Sequence, residues 1–160
     1  MSLAVTVRLR TIEAFLLREH GSVRQLTVRE RRILRGFVRR MELAIEDNWP
    51  VDTGFSRDGW RSAISGNVTG GGIQGLSGIG FQLFNEVHYA KYVRRRGELA
   101  AGLPPLGRRL ARQVVVAFAA SLNAALMAEI RNTEAQQRQG VPFLELLQRV
   151  GPQLPGALSG

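Results

Sequence analysis

The triplet Asp52-Thr53-Gly54 is the part of this sequence whose residue types match a known catalytic signature. Aspartic proteases use such aspartates in pairs, so that two carboxylates share one proton. A chain of this size would have to supply the second carboxylate by dimerising, and the aspartate should follow a buried apolar strand. Here a long helical pattern and the pair Trp49-Pro50 precede Asp52. The triplet therefore indicates a turn that Asp52 caps, and not a catalytic loop.

The sequence indicates no other catalytic or metal-binding set. It has no cysteine and only two histidines, which excludes disulfides, thiolate metal sites and histidine-rich metal sites. No spacing pattern joins His88 to Glu86 or Asp58 as an acid–base set, so we expect a structural histidine. The glycine run at 70–72 lacks the Lys-Ser/Thr ending of a phosphate-binding loop. We therefore expect no enzymatic activity and no cofactor.

The charge of the chain points to an acidic partner. Its 160 residues carry a net charge of +9, and Lys91 is the single lysine. Such a balance favours binding to nucleic acid or to an acidic protein face, although a solvated basic surface is the alternative. The apolar run at 113–130 is shorter than the ~20 residues that a membrane span needs. We expect a buried or interface helix there, no membrane span, and no signal peptide at the N-terminus.

A long helix must precede the Asp52 turn. Thr27 and Glu30 have the spacing of a capping box, and the helix should end near Asn48 because the residue before Pro50 avoids the α region. Gly36 lies inside this helix and suggests a close packing contact. Apolar residues recur on one face, with arginines on the other, at Ile33, Leu34, Phe37, Val38, Met41 and Ile45.

The remaining pattern predicts a small sheet and a second long helix. Residues 60–69 and 76–84 alternate as two strands of a hairpin, joined by a glycine-rich loop that we expect to be mobile in the free subunit. Residues 85–93 should form a short helix with Tyr89, Tyr92 and Val93 facing apolar surface. The second long helix should run from Arg108 to Gln137 and end at Gly140. Its apolar ladder consists of Leu110, Val114, Phe118, Leu122, Leu126 and Ile130.

These elements predict an α+β fold in which a small antiparallel sheet packs against two long helices. Residues 1–26 should form an N-terminal arm, with a strand-like segment at 3–9 and a short helix at 11–19 that stops at Gly21. Residues 27–137 should form the main domain, and residues 138–160 a short helix and a flexible tail.

The order of motifs resembles the tail-completion and head–tail joining (neck) proteins of tailed bacteriophages, a minor tail protein family. That family has a P-x-D-T-G-x-L-R-x-S-like signature, then strands, then an N-x-x-x-Y-A-x-Y-V motif followed by an acidic residue and glycine. The resemblance covers about residues 28–97. Phe55 and the cluster Arg94–Arg96 depart from it. The matching positions are Pro50, Asp52, Thr53, Gly54, Arg57, Trp60, Asn85, Tyr89, Ala90, Tyr92, Val93 and Gly97.

The resemblance implies a structural subunit that forms a sixfold or twelvefold ring at the head–tail junction, around the DNA path. Its partners would be copies of itself, connector or adaptor proteins, tail-tube proteins and the genomic DNA in the lumen. It would be assembled in the cytoplasm of a bacterial host and reside in the neck or tail of the virion. As candidate interface residues we take Arg94, Arg95, Arg96, Gly70, Gly71 and Gly72.

Ring symmetry and the exact position in the neck stay open, as does the origin of the particle in a virus, a prophage or a gene-transfer agent. A different class of function also remains open. A basic nucleic-acid-binding or regulatory protein would use the arginines of the helix from Thr27 to contact phosphates.

Overall fold

A computed structural model describes residues 2–51, 54–67, 73 and 76–150, with side chains as far as residue 139. Contacts divide the chain into one compact unit that ends at Leu126 and a second that begins at Met127. The elements are β1 (Leu3–Arg8), α1 (Arg10–His20), α2 (Val28–Asn48), α3 (Phe55–Asp58), β2 (Trp60–Asn67), β3 (Gly78–Asn85), a 3-10 turn (Ala90–Tyr92) and α4 (Leu106–Val150).

The three strands form one antiparallel sheet in the order β1-β3-β2. Leu3 and Trp60 both lie opposite Asn85, and Thr6 and Ala63 both lie opposite Gln82. The hairpin of β2 and β3 and the α+β class are therefore confirmed. The strand-like segment and the short helix predicted within the first 26 residues both form, as β1 and α1. Because β1 is hydrogen-bonded to β3, this segment is part of the sheet and is not a separate arm.

The helix α2 begins and ends as its sequence predicts. Thr27 Oγ1 accepts a hydrogen bond from the Glu30 amide, and the Glu30 carboxylate accepts one from the Thr27 amide, which completes the capping box. Its core-facing side chains, with exposed fractions of 1% or less, are Leu34, Val38, Met41 and Ile45. Ile33 and Phe37 are only half-buried, so the buried stripe lies slightly to one side of the predicted one.

The helix α4 is longer than its sequence predicts. It starts at Leu106 and continues through Gly140 and Pro142 to Val150, so the predicted end at Gly140 is wrong. A glycine costs a helix only ~1 kcal/mol, which the good helix formers on both sides can offset. In the first unit Leu110, Val114, Leu122 and Leu126 are buried as the ladder predicts, and Phe118 is half-buried.

The same helix contains a membrane-length apolar segment. Among the described residues, the part at Leu106–Gln139 is long and apolar enough to cross a bilayer by length and composition, and 22% of its most apolar window is buried. The prediction that this apolar run is too short to span a membrane is therefore wrong as regards its length. The described parts of the chain bury only a minority of the residues in this apolar window.

Candidate functional site

The two family-like segments meet at Asn85, whose side chain is fully buried at the end of β3. Asn85 Nδ2 donates a hydrogen bond to the Ser56 carbonyl oxygen (2.6 Å), and Asn85 Oδ1 accepts one from the Val87 amide (2.9 Å). The Glu86 amide also donates to the Gly59 carbonyl oxygen. A Cβ atom at Gly59 would lie 2.7 Å from Asn85 Oδ1, so this contact requires glycine. One asparagine thus ties the turn after α2 to the turn after β3.

Both tryptophans of the chain pack against this connection. The rings of Trp49 and Trp60 meet edge to face with centroids 5.1 Å apart, and Trp49 Nε1 donates to Ser56 Oγ. At the start of α4, a Cβ atom at Gly107 would lie 2.5 Å from Trp49 Cη2 and 2.8 Å from the Ala90 carbonyl oxygen. We call this unit the motif junction, defined by Trp49, Ser56, Trp60, Asn85 and Ala90.

The other predicted motif residues lie around the junction or outside the described part of the chain. Gly54 and Gly97 adopt positive φ angles of 76° and 95°, the conformation that glycine tolerates best. Pro50 and Val93 are half-buried, and Arg57 bonds to Asp58. The residues outside the described ranges are Asp52, Thr53, Gly70, Gly71 and Gly72, and with them the predicted capping role of Asp52 and mobile glycine loop.

The short helix predicted at 85–93 is wrong, because only a three-residue 3-10 turn forms there. The physical reason is the bond from the Val87 amide to Asn85 Oδ1, an Asx turn that redirects the chain as it leaves β3. As a result Tyr89 and Tyr92 are 40% and 67% exposed, and do not face apolar surface as expected.

A groove of about 530 Å³ lies on the outer side of the junction. Three residues that the sequence could not connect, Asp58, Glu86 and His88, line it together with exposed Phe55 and Tyr89. Both carboxylates have guanidinium neighbours, Asp58 that of Arg57 and Glu86 that of Arg61, and the His88 ring meets Tyr89 edge to face. Aromatic side chains with neutralised charges suit a contact surface. Within the described residues no group of three or more His, Asp or Glu could hold a metal.

Glu98 forms an internal ion pair with Arg109 next to exposed arginines. Arg95 and Arg96 are exposed, whereas Glu98 is buried and accepts from the Arg95 amide and from Arg109. Burial raises the pKa of Glu98, but these hydrogen bonds outweigh it and hold the pKa below its ordinary value.

Glu42 is not suited to pair with the cluster Arg94–Arg96 of a neighbouring copy, because its carboxylate is already bonded within the chain. Its side chain is buried, bonds to Arg39 and accepts a 2.6 Å hydrogen bond from Ser62 Oγ. Glu46 remains half-exposed, and its pKa is raised by burial and by the nearby Glu42 carboxylate.

The solvent face of α2 is strongly basic. Gly36 lies among its exposed arginines, which are Arg29, Arg31, Arg32, Arg35, Arg39 and Arg40. Among the described residues nothing lies within 4 Å of a Cβ atom placed on Gly36, so the described part of the chain does not make the close contact expected there. The last turn of α2 contains no basic residue. This charge order opposes the helix dipole, which favours cations at the C-terminal end.

Comparison of the chain with protein-family models, with curated proteins and with solved structures finds no match.

Proposed function

We propose that this chain is a structural subunit of a phage or phage-like particle and forms a closed ring around the DNA path at the head–tail junction. The motif junction is the observation that carries the proposal. The family-like segments lie about 30 residues apart in the sequence, yet Asn85 bonds directly to the first of them and both tryptophans pack on the connection. The hairpin places Trp60 opposite Asn85, and the side-chain bond of Asn85 and the packing of both tryptophans join the two motif segments into one unit.

The exposed apolar surface of α4 is available for contacts between subunits of a ring. Val116 on α4 is 74% exposed, and a groove of about 430 Å³ runs beside it, lined by Pro104, Arg108, Arg109 and Arg112 among others. Apolar surface of this kind is costly in a permanent monomer. In the proposal it contacts neighbouring copies, the connector or adaptor above and the tail-tube protein below, with no membrane involved.

In the proposal, the basic face of α2 is the surface that contacts DNA. In a ring around the genome, arginines on the lumen side neutralise phosphates without reading bases. The protein then acts through position and charge alone, without an enzymatic step or a cofactor, within the virion neck or tail.

Mass measurement tests the proposal directly. We expect native mass spectrometry of the full-length protein, or electron microscopy of particles that contain it, to show a closed ring, with sixfold or twelvefold symmetry the first to look for. A variant with Arg94, Arg95 and Arg96 all changed to glutamate measures the contribution of that cluster. A protein that is monomeric both in solution and inside particles refutes the ring, whereas full assembly of the variant removes only the cluster from the interface.

A second candidate is a basic nucleic-acid-binding protein, and the specific observation in its favour is the α2 face. An exposed glycine in mid-helix and arginines placed against the dipole both lower helix stability, which suggests that this surface serves a ligand. Binding of the isolated protein to duplex DNA at several salt concentrations separates the two functions. A steep decrease in affinity with salt in a protein that never assembles favours the second candidate, and weak binding by monomers of an assembling protein favours the ring.

A further inference from the structure

The hydrogen-bond alternation of the sheet identifies which backbone groups its two edges expose. The Leu9 amide donates to the Ile79 carbonyl oxygen directly opposite (2.8 Å). In an antiparallel pair such bonded positions alternate with non-bonded ones, so Leu3, Val5 and Val7 bond to β3. The amide and carbonyl groups of Ala4, Thr6 and Arg8 therefore point outward from β1.

The same reasoning applies to β2 at the opposite edge. The Glu86 amide donates to the Gly59 carbonyl oxygen, which makes Arg61 and Ala63 bonded positions. The outward positions are then Ser62, Ile64 and Gly66. The Leu26 amide donates to the Gly66 carbonyl oxygen from outside the sheet, as this alternation requires. Within the described part of the chain, the backbone groups of Ser62 and Ile64 have no such cover.

The two edges match each other in direction and in level. Both β1 and β2 run antiparallel to β3, so they are parallel to each other. Val5 and Ser62 both lie opposite Leu83 and are therefore at one level. In a parallel pair, a residue bonds to the two neighbours of the residue that faces it. A second copy placed beside the first without stagger would thus bring Ser62 between the outward groups of Ala4 and Thr6.

The charges beside the two edges are also complementary. Arg108 and Arg112 line a groove of about 340 Å³ at β1 with Ala4, Val5 and Thr6, and no acidic side chain among the described residues pairs with either. At β2, Ser62 bonds to Glu42, and Glu46 lies beside Glu42. No described guanidinium is bonded to Glu46, although the charges of Arg39 and Arg61 act on it. Arginines without a described acidic partner thus flank one edge of the sheet, and a carboxylate to which no described guanidinium is bonded flanks the other.

We propose that the β1 edge of one copy pairs in parallel with the β2 edge of the next, which makes one continuous sheet through successive subunits, with Arg108 and Arg112 of one copy facing Glu46 of its neighbour. This rests on the proposed function as a ring subunit and identifies its interface. The two edges are different surfaces, so the contact is heterologous and generates a ring when it closes. Pairing also covers two open strand edges, which would otherwise favour aggregation.

Disulfide trapping tests the register, since the chain has no cysteine of its own. Thr6 and Ala63 share a level and a face of the sheet, but within one chain β3 lies between them. Strands are ~4.8 Å apart, so this internal separation of about 10 Å is too long for a disulfide. In the proposed contact, Thr6 of one copy lies directly beside Ala63 of the next. The Thr6→Cys/Ala63→Cys variant should therefore form a ladder of covalent oligomers on oxidation.

Matched variants make the result specific. Thr6→Cys/Arg61→Cys places the second thiol two residues out of register, about 8 Å away, and should not form the ladder. Either single variant should stop at dimers. Separately, Thr6→Pro removes an amide that no bond within the sheet uses, and should abolish assembly while the fold remains. Thr6→Ala retains the amide and should assemble.

The outcomes separate this inference from the proposed function. If wild-type protein assembles and the Thr6→Cys/Ala63→Cys variant forms no ladder, the edge pairing is wrong and the ring stands. Assembly of a folded Thr6→Pro variant at wild-type level also overturns the edge pairing. If wild-type protein never assembles, in solution or in particles, both proposals are overturned. Restoration of assembly by combining Arg112→Glu with Glu46→Arg, each of which should weaken it alone, would confirm the charge contact.

Discussion

Removal of the Asn85 side chain should destabilise the protein more than any other single amide truncation on β3. The Asn85→Ala substitution deletes two hydrogen bonds, to the Ser56 carbonyl oxygen and from the Val87 amide, in a fully buried position. Two net bonds amount to ~2 kcal/mol, and their half-buried partners left without a bond add up to ~1 kcal/mol. We therefore expect the free energy of unfolding to decrease by about 2–3 kcal/mol, a large part of the ~5–15 kcal/mol of a typical domain.

Urea unfolding followed by tryptophan fluorescence measures this decrease in the free energy of unfolding. The signal reports on the motif junction, because both tryptophans lie there. The matched control is Gln82→Ala on the same strand, which deletes an exposed side-chain bond from Gln82 Nε2 to Thr6 Oγ1. That loss should be under about 1 kcal/mol. If Asn85→Ala is no more destabilising than Gln82→Ala, Asn85 does not hold the junction together, and the main support for the proposed function is lost.

Four further substitutions test individual contacts, each by unfolding measurements. Gly36→Ala should raise stability by up to ~1 kcal/mol, since no described residue lies near the added methyl group; a lower melting temperature would show that the glycine is needed within the chain. Gly107→Ala should lower stability by about 1–3 kcal/mol, because its Cβ atom would overlap the Trp49 ring, and an unchanged fluorescence spectrum would contradict this packing. Glu30→Gln and Glu46→Gln should have opposite effects at neutral pH. Burial raises the pKa of Glu30, but its bonds to Arg24 and Thr27 outweigh this and hold the pKa below 4.5, so its stabilisation is present above that pH and is lost as pH falls through the folded value. Burial and Glu42 raise the pKa of Glu46 above 4.5, so its ionisation destabilises the fold as pH rises from there through the folded value, and Glu46→Gln should remove that loss. Parallel pH profiles for the two variants would refute this assignment.

Local rules predicted the elements whose signals lie within a few residues. The capping box of Thr27 and Glu30, the Trp49-Pro50 break and the Gly21 stop all act over one turn, and each boundary lies where they indicate. The end of α4 did not, because a single glycine is too weak a signal against its neighbours. The prediction of a helix after β3 is also wrong, because the helical spacing of the apolar residues there does not reveal the Asx turn that Asn85 forms.

The sequence by itself determined the α+β class, the capped arginine-rich helix and the hairpin, because hydrophobic period and turn chemistry are local properties. It also contained both motif segments, and the predicted hairpin brings them near each other, but the sequence did not indicate the side-chain bond that joins them. Only the tertiary structure decided that β1 joins the sheet, that Asn85 bonds to Ser56, and that the Glu42 carboxylate is bonded within the chain. These contacts link residues 20 to 82 positions apart, and such pairings depend on how whole elements pack, which no short window of sequence specifies.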